Sequence, residues 1–192
     1  MMNLVFIISV VLVVVLTFFL YKFFMNITNK NKNNWLNLIN QNDNLGFKKR
    51  IIPLEFLPQT FHENIFFHGK LDEWTNGIWL NYQSKLIKFR DGREISFQDL
   101  YDVRIDSIGV SKTKGLGVGD TLTLFGASTT EHLKSISVQI VIKDPKGGVK
   151  TNELMLCNNF FSIKKGTPQA NAYEKCSSAI LNEISYIIDN YS

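Results

Sequence analysis

The sequence predicts an α+β protein, in which an N-terminal transmembrane helix precedes an antiparallel β-sheet or partly open barrel capped by a C-terminal amphipathic helix. Three observations predict this fold class. An apolar run without any charge occupies the N-terminus. Segments with a period of two, most clearly "KSISVQIVIKD", favour strands in the middle of the chain. Beyond Pro168, apolar residues recur every three or four positions, which favours one helix packed against the sheet.

Size and composition allow one ordinary domain and an additional segment. The chain has 192 residues, 45% of them hydrophobic, and a formal net charge of +4. Its lysines are spread along the chain, whereas nucleic-acid binders carry a denser basic face, so no nucleic-acid partner is predicted. The two cysteines, Cys157 and Cys176, are too few for a disulfide framework and are predicted to be buried or half-buried thiols.

The first predicted element is a transmembrane helix over residues 4–24. Its uncharged core runs from Leu4 to Tyr21, and these 18 residues would span roughly 27 Å as a helix, close to the hydrocarbon thickness of a bilayer. Many of them are β-branched, which disfavours a helix in water, but in lipid the backbone must satisfy its own hydrogen bonds. The aromatic residues around Lys22 resemble an interfacial belt.

A cleaved signal peptide is the main alternative for this segment. Such a peptide has a basic start, a shorter apolar core and a cleavage site of small residues. The sequence begins "MMN" without Lys or Arg, and "FFLYKFFMNIT" offers no such site. A retained span is therefore favoured.

The flanking charges predict the orientation of the span. Only the α-amino group precedes it, whereas a single acid, Asp43, and six basic residues follow: Lys22, Lys30, Lys32, Lys48, Lys49 and Arg50. The positive-inside rule then places the C-terminal domain in the cytoplasm, at the inner face of the cell membrane. The same residues could contact anionic headgroups, at roughly 1 kcal/mol each. Because the run is interrupted and rich in asparagine, a role in topology alone is favoured.

Residues 25–50 are predicted to be a polar tether that contains a short helix. Asn26 to Asn33 is polar enough for a tether. The apolar pattern that follows predicts a helix from about Asn34 to Gln41, with Gly46 as a left-handed cap. This helix is expected to pack on the domain, or alternatively to lie at the headgroup level with Trp35 as an interfacial anchor.

Residues 51–192 are predicted to form the globular domain. "IIPLEFL" predicts an edge strand or lead-in because of Pro53, and "NIFFHGKL" a possible strand. "GIWLNY" and "KLIKFR" predict a hairpin around "QSK", and "RDGRE" predicts a turn. "EISFQDLYDVRI" predicts a brief strand or turn that leads into another strand.

The second half of the domain is predicted to continue with strands and to end in a helix. The glycines Gly115, Gly117 and Gly119 predict a mobile loop or hairpin tip, with "TLTLF" as a strand after it. "DPKGG" predicts a turn between the strands "KSISVQIVIKD" and "NELMLCN". Thr167 and Pro168 suit the first positions of the C-terminal helix.

This order of elements resembles uncharacterised bacterial membrane-anchored proteins with a PH-like domain. The resemblance rests on "NGIWLNYQSKLIKFRDGREISFQDLYDVRI", on "SISVQIVIKDPKGGVKTNELML" and on the final helix, and it covers roughly residues 65 to 190. It implies a partly open β-barrel or bent sheet with a capping helix. Some PH domains bind phosphoinositides through basic residues of the first hairpin, and the closest positions here are Lys85, Lys88, Arg90 and Arg93.

The sequence predicts neither an enzyme nor a cofactor. No catalytic motif stands out, and the glycine-rich loop lacks the Gly-Lys-Ser/Thr end of a phosphate-binding loop. His62 and His68 are six residues apart without a cysteine at ligand spacing, so no metal site is predicted.

The candidate binding face is formed by Trp79, Lys88 and Arg90 on the predicted hairpin. Ile78 and Leu80 take the core face, so Trp79 should point outward, either beneath the protein's own N-terminal helix or towards a partner. The predicted function is a single-pass, membrane-anchored, non-catalytic binding or adaptor module with a protein partner at the cytoplasmic face. The alternatives are an exported, membrane-tethered module with an uncleaved signal anchor, and an anionic-lipid-binding domain.

Overall fold

A computed structural model describes residues 4–68, 71–114 and 128–191. Over these residues the protein has the predicted α+β class, with a long apolar N-terminal helix and two antiparallel sheets that do not close into a barrel. The glycine-rich stretch with Gly115, Gly117 and Gly119, and the predicted strand "TLTLF", lie outside the described residues.

The first helix, α1, is one continuous element from Leu4 to Asn44. Its 41 residues extend for roughly 60 Å. The described side chains of its first half are exposed, and the helix is long and apolar enough to cross a membrane. In place of the expected tether, Asn26 to Asn33 is helical. Asparagine is a weak helix former, but extension of an existing helix costs little, and packing against the domain compensates for it.

The end of α1 follows the prediction at Gly46. This glycine has a φ of +86°, and the amide of Phe47 donates to the Asn42 carbonyl at 2.9 Å while the Gly46 amide donates to Asp43 at 3.0 Å. The two bonds form a Schellman cap that satisfies carbonyls at the helix end. The predicted short helix is thus the last part of a much longer one.

The first sheet has four strands in the order β1-β2-β3-β4: β1 (Lys49–Ile51), β2 (Ile78–Asn81), β3 (Leu86–Phe89) and β4 (Glu94–Ser96). The predicted hairpin and Asp-Gly turn are therefore confirmed, with Gly92 at a φ of +86°. The edge strand predicted from "IIPLEFL" is not: β1 ends at Ile51, and Pro53–Phe56 is helical, because the fixed φ of proline suits the first turn of a helix. Gly77 lets β2 approach β1, because a Cβ there would lie 2.2 Å from the Ile51 carbonyl oxygen.

Short helices fill the long connection from β1 to β2. They are α2 (Pro53–Phe56), a 3₁₀ turn (Gln59–Phe61), α3 (His62–His68) and α4 (Leu71–Trp74). The prediction of a strand at "NIFFHGKL" is wrong, because this stretch supplies most of α3. A short apolar run has no periodicity of its own, and here Ile65 and Phe66 are buried on adjacent sides of a helix.

The second sheet has three long strands in the order β5-β6-β7: β5 (Leu100–Lys114), β6 (Ser128–Lys143) and β7 (Val149–Lys164). A 3₁₀ turn at Phe97–Asp99 leads into β5. The predicted alternation of β6 is confirmed, since Ile136, Val138 and Ile140 are buried.

The C-terminal helix, α5 (Pro168–Tyr191), packs on the second sheet and the 3₁₀ turn before it. The Ala170 amide donates to the Thr167 hydroxyl at 3.4 Å, which confirms the predicted N-cap. The predicted stripe is buried at five positions, Tyr173, Cys176, Ile180, Ile184 and Ile187, while its sixth member, Tyr191, is half-buried. Cys157 and Cys176 are both buried thiols that form no disulfide, as predicted.

Candidate functional site

The outer face of the first sheet carries a row of side chains that crosses its strands. Arg50 in β1 pairs with Trp79 in β2, and Trp79 pairs with Lys88 in β3. The second half of α1 lies over this row, with the ring centroid of Trp35 placed 6.1 Å from that of Trp79. The Arg50 guanidinium lies 5.8 Å from both rings. The protein's own helix therefore closes this face.

Trp79 is buried rather than open to a partner on the predicted binding face. Its side chain is only 1% exposed. Of the two alternatives for an outward Trp79, burial beneath the N-terminal helix is the correct one. The reason is the unexpected length of α1, which brings Trp35 onto the sheet. Strand β2 is thereby buried on both faces.

The other two residues of the predicted binding face hold partners within the protein. The Lys88 ammonium lies 5.4 Å from the ring centroid of Phe47, and the Arg90 guanidinium donates to the carboxylate of Asp72. The Arg90 side chain is 26% exposed, and its Nη1 is buried without a partner in the described part of the chain. Trp79, Lys88 and Arg90 therefore do not form a single open surface.

The basic residues after the span divide into two groups along α1. Lys22 and Lys30 are exposed and lie near its apolar half, while Lys32 is paired with Glu63 at 2.5 Å. Lys48, Lys49 and Arg50 follow the helix end, roughly 35 Å from Tyr21 along the axis. Within this second group, Lys49 and Arg50 bind Glu183 and Glu55. A shared headgroup site for all six is excluded by this separation, since screening acts within about 8 Å.

A cavity lies among α3, α4, β7 and the start of α5. Its volume is about 580 Å³, within the range of about 300–1,000 Å³ typical of small-molecule sites. Most of its lining is apolar or aromatic: Leu57, Phe61, Ile65, Trp74, Ile163 and Tyr173. Four polar residues complete the described lining: Asn64, His68, Glu73 and Gln169.

Helix α3 forms the wall between this cavity and α1. One side of α3 contacts α1, because Asn31 donates to the Phe66 carbonyl at 2.5 Å and the ring centroids of Phe24 and Phe67 are 4.8 Å apart. The contacts run in opposite directions along the two helices, from Lys32 and Glu63 to Phe24 and Phe67. The C-terminal end of α3 therefore points towards the apolar half of α1.

Two stacked aromatic rings form the floor of the cavity. The rings of Trp74 in α4 and Tyr173 in α5 are 4.6 Å apart at an interplanar angle of 25°. Both side chains are buried, Trp74 being 6% exposed and Tyr173 2%. Burial raises the pKa of the Tyr173 hydroxyl, with a further rise from the nearby Cys157 and Glu73, so the hydroxyl stays protonated.

A second, smaller cleft of about 320 Å³ shares Glu73 and Tyr173 with the cavity and follows the free edge of β7. The Asn76 amide crosses this cleft and donates to the Met155 carbonyl at 2.6 Å. This bond ties the first sheet to the second where the sheets do not pair. Tyr173 consequently lines both the cavity and this cleft.

The two histidines that lie six residues apart in the sequence, His62 and His68, have different surroundings. His68 lines the cavity, whereas the Nε2 of His62 lies 3.1 Å from the carbonyl oxygens of Leu54 and Leu57. Among residues 4–68, 71–114 and 128–191, no group of three or more His, Cys, Asp or Glu side chains is placed to hold a metal.

The cavity was not predictable from the sequence patterns. Its walls come from the region assigned to a strand, and Tyr173 belongs to a stripe that reads as ordinary helix core. A Trp next to the hairpin, Trp74, is the one local signal, because a buried indole brings a hydrogen-bond donor with it.

Comparison with protein-family models, curated proteins and solved structures finds no match for the chain.

Proposed function

We propose that this protein is a single-pass membrane protein whose domain is held directly against the bilayer and acts as a non-catalytic binding module. The observation that carries the proposal is the continuity of α1, which passes from an exposed apolar half into a half packed on α3 and the first sheet. If Leu4 to Tyr21 spans the bilayer, Phe24 and its partner Phe67 lie about 5 Å beyond the span. The domain then begins at the headgroup level.

Binding rather than chemistry is proposed for the domain because of the nature of its cavity. An apolar space with a few hydrogen-bond donors is suited to hold a ligand. The end of α3 that points towards the apolar half of α1 places His68, at the rim, on the bilayer side. The module is therefore proposed to act on what lies at, or arrives from, the membrane surface.

A PH-like architecture is proposed for the domain. It is supported by the order of strands, four in one antiparallel sheet and three in the next, with a C-terminal helix packed across the second. The resemblance of the sequence implies the same arrangement of a partly open barrel with a capping helix. The two described sheets do not pair with each other, and Asn76, which lies ahead of β2, donates to the Met155 carbonyl of β7.

A cytoplasmic location of the domain at the inner membrane is also part of the proposal. Lys22 and Lys30 remain close to the end of the span, within the distance over which basic residues set orientation, whereas Lys48, Lys49 and Arg50 do not. The proposed orientation therefore rests on fewer charges than the sequence alone indicates. An exported module remains the competing arrangement.

The proposal is tested by expressing the full chain with a C-terminal reporter and fractionating the cells. We expect the protein in the membrane fraction after alkaline carbonate washing, with a green fluorescent protein fusion bright and an alkaline phosphatase fusion inactive. Recovery in the carbonate supernatant would contradict the membrane span. An active phosphatase fusion would instead establish the exported arrangement. Lys22→Gln with Lys30→Gln is expected to weaken the orientation, and Lys48→Gln with Lys49→Gln serves as the matched control.

A further inference from the structure

An exposed aromatic pair lies where the domain meets the apolar half of α1. The ring centroids of Phe24 in α1 and Phe67 in α3 are 4.8 Å apart, and yet the two residues remain 39% and 37% exposed. The contact between the helices therefore leaves more than a third of each aromatic residue uncovered.

The exposed surface of this pair continues the apolar surface of the first half of α1. Phe23 and the described large apolar side chains before it are exposed. In α3, Phe66 is buried against the domain, whereas Phe67 is exposed. Because Phe67 contacts α1 at Phe24, it extends the apolar surface of the helix onto the domain. Whatever surrounds the apolar half of α1 consequently reaches Phe67 as well.

The contact with Phe24 defines the depth of Phe67 in the proposed bilayer. Phe24 follows Tyr21 by three residues, which is about 4.5 Å along the helix axis. The interfacial layer beyond the hydrocarbon is roughly 5–8 Å thick on each side of a bilayer. Both rings therefore fall within this layer, where aromatic side chains of membrane proteins are enriched.

Helix α3 is polarised in the same direction. Its first turn carries Glu63, which pairs with Lys32, and its last turn carries Phe67, which contacts Phe24. Lys32 and Phe24 are eight residues apart, so the acidic start of α3 lies about 12 Å further from the span than its aromatic end. An aromatic end towards lipid and a charged end towards water is the arrangement that an interfacial contact needs.

We propose that the C-terminal turn of α3 inserts into the interfacial layer of the bilayer, with Phe67 as a second membrane anchor beside α1. A single spanning helix leaves the domain free to tilt, whereas a second contact on another element restricts that tilt. This inference rests on the proposed span of α1 and adds the lipid contact that the domain itself makes. A protein partner that covers the aromatic pair is the competing occupant.

Quenching by spin-labelled phospholipids tests the proposal on the full chain in phosphatidylcholine vesicles. Phe67→Trp keeps an aromatic ring and reports on its surroundings, and the wild type, with its three tryptophans, gives the background. We expect a nitroxide at carbon 5 of the acyl chain to quench the added tryptophan at least twofold more than one at carbon 16, which lies deeper. Tyr186→Trp, at an exposed aromatic position of α5, is the matched control and should show no quenching beyond the background.

A second set of variants separates insertion of Phe67 from simple proximity to α1. His68→Trp reports from the neighbouring position. It should lose at least half of its quenching in combination with Phe67→Ser, but keep it with Phe67→Leu, which remains apolar. Circular dichroism of each variant verifies that the helices are retained.

Equal quenching of Phe67→Trp and Tyr186→Trp would overturn the inference, as would a His68→Trp signal that Phe67→Ser leaves unchanged. Alkaline carbonate washing of the same vesicles distinguishes this result from failure of the span. A chain that stays in the vesicles with an unquenched reporter refutes the second anchor alone and favours a protein partner. A chain released by the wash refutes the span and the anchor together.

Discussion

At the scale of single residues, Tyr173 is buried, and its ring stacks on that of Trp74. Its folded-state pKa is raised above the value of about 10 in an unfolded chain. The folded state therefore holds its phenolic proton at pH values where the unfolded state has released it. The resulting stabilisation is complete below pH 10 and declines as the pH rises further, by up to about 1.4 kcal/mol per pH unit.

The pH dependence of stability at alkaline pH consequently tests the raised pKa of Tyr173. We predict that Tyr173→Phe unfolds at nearly the same temperature as the wild type at pH 7, because the substitution keeps the ring that stacks on Trp74. Between pH 10 and 11.5 the variant should lose stability less steeply than the wild type. Thermal midpoints measured by circular dichroism over this range check both statements. An equal slope in the two proteins would mean that the folded Tyr173 ionises normally.

Trp79 is expected to stabilise the fold, because its buried ring forms the contact between α1 and the first sheet. Because its ring lies under Trp35 and Arg50, Trp79→Ala should lower the free energy of unfolding by roughly 3–5 kcal/mol. The neighbouring Lys88→Ala, which removes a half-exposed side chain, should change it by less than about 1 kcal/mol. Urea unfolding in detergent measures both. A fully stable Trp79→Ala would show that the helix does not rest on the sheet.

At the scale of elements, the second half of α1 has two roles, to extend the apolar helix and to cover the first sheet. We predict that Asn29→Pro breaks the helix between these halves, at about 3 kcal/mol, whereas Asn29→Ala preserves it. Spin labels at Leu16 and Asn40 are 24 residues apart, roughly 36 Å along an unbroken helix. Double electron–electron resonance should give a narrow distance distribution for the alanine variant and a broad one for the proline variant. Narrow distributions in both would contradict the prediction.

The sequence was informative for the elements whose pattern is long and regular. The alternation of β6, the stripe of α5 and the Asp-Gly turn each carry their own geometry, so they were predictable in place. The helices between β1 and β2 were not, since they are four to seven residues long and their apolar residues face tertiary partners on several sides. The prediction of a tether over Asn26 to Asn33 missed the helix for a related reason. Its polar composition describes solvent exposure, while its conformation is decided by contacts with α3 that are distant in sequence.

The candidate site depends on those same unpredictable elements. Trp74 and Tyr173 are 99 positions apart in the sequence, and only the packing of α4 on the start of α5 stacks them. Lys88 and Arg90 were predicted to belong to a binding face because they are basic and were expected to face outward from the hairpin. Their partners, Phe47 and Asp72, come from segments whose positions no local pattern defines.

At the scale of the whole molecule, the contacts give the domain a near end and a far end relative to the apolar half of α1. Phe67 belongs to the near end through Phe24, and Glu183 belongs to the far end through Lys49. Helix α5 therefore starts near the cavity and runs away from the proposed bilayer over roughly 36 Å.

Depth-dependent quenching tests this arrangement in reconstituted vesicles. We predict that a fluorophore at Phe67→Cys is quenched by headgroup nitroxide lipids, whereas one at Asn190→Cys, in the last turns of α5, is not. The native thiols should not interfere, because Cys157 and Cys176 are buried and burial raises the pKa of Cys176. Equal quenching at the two positions would mean that the domain lies flat on the membrane or detaches from it.

The uninterrupted α1 also couples its apolar half mechanically to the domain. A helix advances about 1.5 Å and turns about 100° for each residue. One residue inserted between Val14 and Val15 would therefore shift the domain by about 1.5 Å and rotate it by about 100° relative to the residues before the insertion. Because α1 is helical without a break from Tyr21 to Trp35, a rotation or axial shift of its apolar half would be transmitted to the domain that packs on Trp35. The same continuity would carry a rotation of the domain back along the apolar half of α1.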